Sequence, residues 1–382
     1  MKMVFFSSVL NHHQLPLCLE FYKALGNNFI FVSTMEMEEQ RRKLGYEDMA
    51  EVYPFCLQMH KSPQNYSKAY KLSQECNVLI AGVIPSHFIF DRMKKDKLTF
   101  RYSERFYKDT FWRILSPRAL KIAYEHHFRF RKSPLYLLCA SAYLPKDASR
   151  IFSYPNKMFK WGYFQEFKQY DIEELIKKKE ADVVKILWVG RFLDCKQPEH
   201  VLYVAEYLNK KGVNYSIEMI GLGPSHHQLI SIKKKMNIQH NIDFLGAVPP
   251  EQVRKKMEQV NIFLFTSNKQ EGWGVVLNEA LNSGCAVVAN QSAGAVPFLI
   301  KDGYNGLTYT DKDINGFCKH VEILIHNIDL RRYFACNAYK TIAEEWNPSI
   351  AAQRLLEQID SLMKKGEKLQ FPTGPMSFIS GR

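Results

Sequence analysis

No run of about 18 apolar residues, the length a helix needs to cross a bilayer, occurs in this chain. The opening residues MKMVFFSSVLNHHQ hold too short an apolar run for a secretory signal, and no small-residue cleavage site follows. The eight cysteines include no CxxC, and none is spaced with histidine as a metal site requires. Reduced thiols are expected, with Cys195 and Cys285 buried inside the fold. GxGxxG is missing, so a dinucleotide site is not indicated. There is no DxD with supporting ligands, no short-period repeat and no low-complexity block. These absences leave a cytoplasmic chain, soluble or resting on a membrane surface, with no metal or other cofactor expected.

What is present is a long alternation. At 382 residues the chain suits two or three domains, and 46% apolar content supports real cores. In the second half, VVKILWVG, YSIEMIG, IDFLG, NIFLFTS, CAVVAN and GLTYT read as buried strands. Helical segments lie between them, among them PEHVLYVAEYLNKKG, PSHHQLISIKKKMN, PPEQVRKKMEQ and VVLNEALNSG. Strands alternating with helices predict a parallel, doubly wound α/β sheet. The first half repeats this less cleanly: MKMVFFSSVL, NNFIFVST, NVLIAGV and PLYLLCAS read as strands, while residues 36–70 are mixed and polar. This predicts a first domain over 1–172, a charged linker, and a second domain over 181–345. A helical segment over 346–364, interrupted or kinked at Pro348, precedes a Gly/Pro-rich and poorly ordered tail over 365–382.

Two carboxylates, Glu271 and Glu279, flank EGWGVVLNE just after the NIFLFTS strand. Glu271 falls on the strand exit and Glu279 near the start of a helix, at the end of the sheet where open α/β folds bind ligands. Carboxylates accept hydrogen bonds from hydroxyls, so a sugar or ribose fits; a solvated pair at a helix start fits as well. About 80 residues earlier, Gly190, Arg191 and Lys196 lie at the exit of VVKILWVG. Two cations beside a helix start suit phosphate, although solvated loop cations are the commoner case. Gly221, Gly223 and Gly246 end the next two strands, where glycine lets backbone approach a ligand or simply turn. Amides from Gly272, Trp273, Gly274 and Val275 would face a ligand at the helix start.

Residues 94–132 carry 12 Lys/Arg against 4 Asp/Glu, and nine aromatics. Such a stretch suits an anionic lipid surface, a single-stranded nucleic acid, or a partly buried layer with a solvated basic rim.

Taken together, GRFLDCKQPE, IGLGP, DFLGAV, EGWGVVLNEALNSGCAVVA and the later DGYNGL resemble the carboxyl-terminal domain of family 4 GT-B glycosyltransferases, the retaining group 1 enzymes. The likeness spans roughly residues 183–345. FRYSERFYK and KWGYF resemble a subset of bacterial polysaccharide-type members. The resemblance implies two facing Rossmann-like domains, a cleft between them, and a nucleotide-diphosphate sugar bound there. It places Arg191 and Lys196 on the diphosphate, Glu271 on the donor sugar and Glu279 on the ribose. Leu245 and Gly246 would lie near the base, and the amides of Gly272–Val275 near sugar or phosphate. The segment after Pro348 would cross back to the first domain. No metal and no enzymic base are then required, and the acceptor is a glycan or lipid-linked hydroxyl in cell-surface polysaccharide synthesis. Here the chain departs from the family, since SSVLNHHQLP replaces the usual glycine-rich loop. Asn11, His12 and His13 could contact a ligand or cap the helix beginning near Gln14, and His87 is a further candidate for catalysis or for structure. A nucleotide-sugar epimerase and a basic nucleic-acid binder remain the competing readings, although nucleic acid is not an expected partner.

Overall fold

The computed structural model describes residues 1–39, 48–108, 116–238 and 240–379. Phe111 and Trp112 of the basic stretch, and part of the polar segment 36–70, lie outside them. Two compact units result: Met1–Glu166 with Trp346–Arg382, and Phe167–Glu345.

The first unit is built on seven strands: β1 Met3–Ser7, β2 Phe29–Ser33, β3 Cys56–Gln58, β4 Val78–Ala81, β5 Thr99–Ser103, β6 Leu135–Cys139 and β7 Met158–Lys160. They pair in parallel, in the order β3-β2-β1-β4-β5-β6-β7. β1 and β4 are buried along their whole length, as the continuous apolar runs MVFFS and VLIA require of central parallel strands. β3, β5 and β7 had no counterpart among the strands read from sequence. β5 lies inside the basic stretch: Phe100 and Tyr102 are buried there, so residues 94–132 are not one solvated face.

Two further differences concern the carboxyl-terminal residues. Pro348 starts a helix rather than kinking one; Asn347 caps it by accepting from the Ile350 amide at 3.0 Å, and the helix Pro348–Lys364 packs on Leu15–Leu25 within the first unit. The following residues are ordered against β7. Lys160 N donates to Ser377 O at 2.9 Å, Met376 N to Lys160 O at 2.8 Å and Ile379 N to Met158 O at 3.0 Å, giving an antiparallel bridge at Phe159–Phe378. The tail thus covers an edge that would otherwise expose unpaired backbone.

Arg92, on the helix Ser86–Met93, is fully buried in this unit. Its guanidinium donates to Ser73 O (2.7 Å), Cys76 O (3.0 Å), Asn77 O (3.0 Å), Leu98 O (2.8 Å) and Thr99 Oγ1 (2.9 Å). One planar donor fork thereby closes the carbonyls around the starts of β4 and β5.

The second unit holds β8 Val184–Val189, β9 Tyr215–Ile220, β10 Ile242–Gly246, β11 Ile262–Phe265, β12 Ala286–Asn290 and β13 Leu307–Tyr309. These too are parallel, in the order β10-β9-β8-β11-β12-β13. Ile186, Trp188, Ile217, Met219, Ile262 and Leu264 pack with Val201, Leu202, Phe317 and Val321 from the covering helices. The charged segment 173–185, read as linker and entry to the second domain, lies within this unit: Ile172–Lys178 is a helix, capped by Asp171 accepting from the Glu174 amide at 3.0 Å. All eight cysteines are free; Cys285 is buried, whereas Cys195 is half-buried.

His200 sits buried on the helix Glu199–Lys210, with Nδ1 3.1 Å from the Tyr309 hydroxyl. Burial depresses its pKa to about 4, against a partial opposing pull from Asp311.

Two predictions follow from these buried groups. Replacing Arg92 with methionine leaves several buried carbonyls unpaired and should lower unfolding stability by about 3 kcal/mol, measured by urea titration. For His200, the unfolded imidazole binds its proton below about 6.5 while the folded one stays neutral down to about 4. Its neutral form therefore costs nothing at pH 7, and stability is lost as pH falls through that window. His200→Phe should show a shallower loss between pH 6.5 and 4 than the wild type.

Candidate functional site

In the second unit the strand order reverses between β8 and β11, which are neighbours although about 75 residues apart. Open α/β sheets bind ligands outside the carboxyl ends of strands at such a reversal. The loop leaving β8 carries Gly190, Arg191 and Lys196; the loop leaving β11 carries Glu271 and Gly272–Val275. The fold brings the two together: Lys196 Nζ forms an ion pair with a Glu271 carboxylate oxygen, each side chain less than one-fifth exposed. The expected phosphate cation and the expected sugar carboxylate are therefore partners of one another. Arg191 is exposed on the same loop.

Lys196 ends a 3₁₀ turn, Asp194–Lys196, rather than lying directly before the helix. Gln197 follows with φ of 45°, in the left-handed region, before Pro198 caps Glu199–Lys210. Glu271 sits on a turn, its amide donating to Asn268 O at 3.0 Å and its carbonyl accepting from Gly294 N at 3.1 Å. Glu279 falls in the first turn of the helix Val276–Asn282.

The glycines divide by cause. At Gly221 a Cβ would meet Gly190 O at 1.8 Å, and at Gly223 the Phe192 carbonyl at 2.4 Å. These two are needed because the β8 and β9 exits run against each other, with Gly190 N donating to Ile220 O and Phe192 N to Leu222 O. Packing alone accounts for them. Gly246 ends β10, and its carbonyl accepts from Gly221 N at 2.8 Å; Leu245 beside it is exposed. Gly274 has φ of +89° and lies on the Phe265 ring, where a Cβ would come within 2.3 Å. The Trp273 side chain is buried, its indole N–H donating to Asn278 Oδ1 at 2.8 Å. It belongs to the core, so only its backbone remains a candidate for ligand contact.

In the first unit Asn11 closes the turn before the helix Leu15–Leu25: its Oδ1 accepts from His13 N at 2.9 Å and Gln14 N at 3.2 Å, while Gln14, at the cap position, makes no side-chain cap hydrogen bond. The His12 and His13 rings lie 3.8 Å apart between centroids, tilted at 54°; burial lowers the His12 pKa, and His13 Nδ1 lies 2.8 Å from Gln165 Oε1. His87 is exposed at the start of Ser86–Met93, stacked on Tyr66 and Tyr70, with Nε2 3.3 Å from the Tyr66 hydroxyl.

Sequence reasoning missed a set of polar residues at the strand ends beneath Lys196. Trp188 Nε1 donates to Thr266 Oγ1 at 2.8 Å, and Thr266 Oγ1 donates to Lys196 O at 2.5 Å. Asn290 donates to Asp311, which also accepts from Ser292 at 3.3 Å. The available signal was a polar residue closing an otherwise apolar strand: Thr266 after IFLF, Asn290 after AVVA. Among the described residues, no group of three or more His, Cys, Asp or Glu side chains is arranged to hold a metal, and no helix is long and apolar enough to cross a membrane.

Residues 171–341 match the family model for glycosyl transferases group 1. An uncharacterized glycosyltransferase of Methanocaldococcus jannaschii is 29% identical over 177 residues, covering 46% of this chain and 44% of that protein. The putative colanic acid biosynthesis glycosyltransferase WcaL of Salmonella typhimurium is 22% identical, over 47% of this chain and 45% of its own length. The chain thus spans less than half the length of these curated relatives. Among solved structures, Anabaena HepE in complex with UDP and glucose aligns with a TM-score of 0.67 at 14% identity, over 95% of this chain and all of that one. The segment that resembles group 1 glycosyltransferases encloses the Lys196–Glu271 pair, and the chain as a whole shares the GT-B fold of the solved structure.

Proposed function

We propose that this chain is a retaining glycosyltransferase that moves a sugar from a nucleotide-diphosphate donor to a hydroxyl of a glycan or lipid-linked acceptor, in the assembly of cell-surface polysaccharide. The observation that carries this is the meeting of Lys196 and Glu271 at the strand reversal of the second unit. A cation and a carboxylate held together there suit a ligand whose one end is anionic and whose other end is hydroxylated. The names of relatives such as WcaL and the amylovoran biosynthesis glycosyltransferase AmsK of Erwinia amylovora support the polysaccharide context.

In this reading Arg191 and Lys196 neutralise the charge that grows on the departing diphosphate, and fixed cations do so without a metal. Glu279 accepts hydrogen bonds from the ribose and Glu271 from the donor sugar. The bond from the sugar C1 to the diphosphate breaks as the acceptor oxygen bonds to C1 on the same face. The acceptor proton passes to the leaving phosphate oxygen, so no side-chain base is needed. In the same reading His12 and His13 of the first unit contact acceptor or donor. The same reading sets the enzyme at the cytoplasmic face of an anionic membrane. The helix Pro117–His126 supports this, since it exposes Leu120, Ile122 and Tyr124 alongside Arg118 and Lys121.

Acceptor-dependent release of free nucleoside diphosphate, with the product anomer read by NMR, tests the reaction; UDP-sugars are the first donors to try. Release without acceptor, or an inverted anomer, would overturn it. Lys196→Ala should lower turnover by about a hundredfold or more with an unchanged melting midpoint. Glu271→Gln should also lose turnover, yet bind nucleoside diphosphate several-fold tighter, because the carboxylate that competes for Lys196 is gone. Co-sedimentation with phosphatidylglycerol vesicles, lost at high salt, checks the membrane assignment.

A further inference from the structure

Lys196 is held from two directions. Its ammonium is paired with Glu271, a contact that a diphosphate must take over. Its backbone is held separately, from the exit of β11. Thr266 is buried to 1% exposure, and its hydroxyl is committed at both ends: it accepts the Trp188 indole N–H at 2.8 Å and donates to Lys196 O at 2.5 Å. Two residues on, Asn268 N donates to Cys195 O at 2.9 Å. With its amide oriented to donate, Gln197 Nε2 lies 2.9 Å from Thr266 O and 3.0 Å from Asp311 Oδ1. Thr266 therefore contacts the Lys196 turn through both its side chain and its carbonyl.

That turn needs holding. Gln197 is a non-glycine residue in the left-handed region, a conformation that persists only where the surroundings determine it. A freely turning loop would let the Lys196 ammonium follow whichever anion was nearest. The hydroxyl of Thr266 fixes the carbonyl of Lys196 whether or not Glu271 is engaged, so the lysine stays aimed once the ligand has displaced the carboxylate.

We infer that Thr266, through its hydroxyl relay from Trp188, is the positioning residue that aims Lys196 at the donor diphosphate. The inference rests on the donor-site reading above. Valine has the shape of threonine but can neither accept from Trp188 nor donate to Lys196, so it removes the relay and leaves both buried partners unpaired. Serine keeps the relay.

The test is a double-mutant cycle on ligand binding, supported by kinetics. UDP, GDP, ADP and dTDP are titrated calorimetrically against the wild-type chain, and the tightest becomes the probe. Thr266→Val should weaken it roughly tenfold, the loss expected of one hydrogen bond to a positioned group, and Thr266→Ser should restore binding to within about threefold. In a Lys196→Ala background, Thr266→Val should add no further loss, since the residue it aims is absent. Donor KM should rise with Thr266→Val more than kcat falls. An equal penalty in both backgrounds, wild-type binding by the valine variant, or failure of serine to rescue overturns the role of Thr266 while leaving the donor site intact. Absence of binding by any of the four diphosphates to the wild type overturns the donor reading itself, and this role with it. Melting midpoints are measured first; if the valine variant does not fold, Thr266→Cys, a weaker donor of similar size, replaces it in the same cycle with the same criteria.

Discussion

The pairing of β8 with β11 is the contact on which the proposed donor site depends. Ile186 lies against Ile262 and Leu187 against Phe263, so two strands far apart in sequence release their loops side by side. In a parallel sheet all such exits open on one edge, and where the order reverses the flanking helices diverge to opposite faces and leave room. Lys196 and Glu271 meet because this register allows it. The close run of the β8 and β9 exits, possible only with Gly221 and Gly223, fixes the same loop from its other side.

Much of the second unit was legible in the chain, because buried parallel strands are written as short apolar runs bounded by polar residues. VVKILWVG, NIFLFTS and CAVVAN are read this way without ambiguity, and Lys196 and Glu271 follow directly from where those runs stop. The first unit was harder for definite reasons. β3 and β7 are three residues long and lie toward the sheet edges, too short to establish a period. β5 alternates Phe100 and Tyr102 with Thr99, Arg101 and Ser103 amid a dense field of lysine and arginine, which hides a buried strand inside an apparent surface. Trp273 entered the sequence reading only through its backbone amide, and its indole N–H is spent on Asn278 in the core. For the polar layer of Thr266, Asn290 and Asp311 the chain offers only a polar residue closing an apolar run; which strand ends partner one another has no signature in linear spacing.

Both units tolerate buried charge, and in each case geometry explains how. Arg92 spends its donors on carbonyls rather than on a counterion. Lys179, in the second unit, donates to Ser283 O at 2.5 Å and Gly284 O at 3.0 Å, and burial pushes its pKa down. Those carbonyls close the helix Val276–Asn282, the helix that carries Glu279. A cation at the carboxyl end complements the helix dipole there, so the lysine steadies the element from the end opposite its site. In both cases a buried cation takes the place of the water that would otherwise satisfy backbone oxygens at an element's end.

The tail against β7 bears on the order in which the protein is made. The second unit is one uninterrupted segment, complete once Glu345 has been synthesised. The first unit is not: it needs the helix Pro348–Lys364 on one side and residues 376–379 along its last strand. On the ribosome, the first unit must therefore wait, with an open sheet edge, while the whole of the second is produced. Of the two units, the one that begins to emerge first is the last to be finished, and during that interval the β7 edge is open to pairing with the wrong partner.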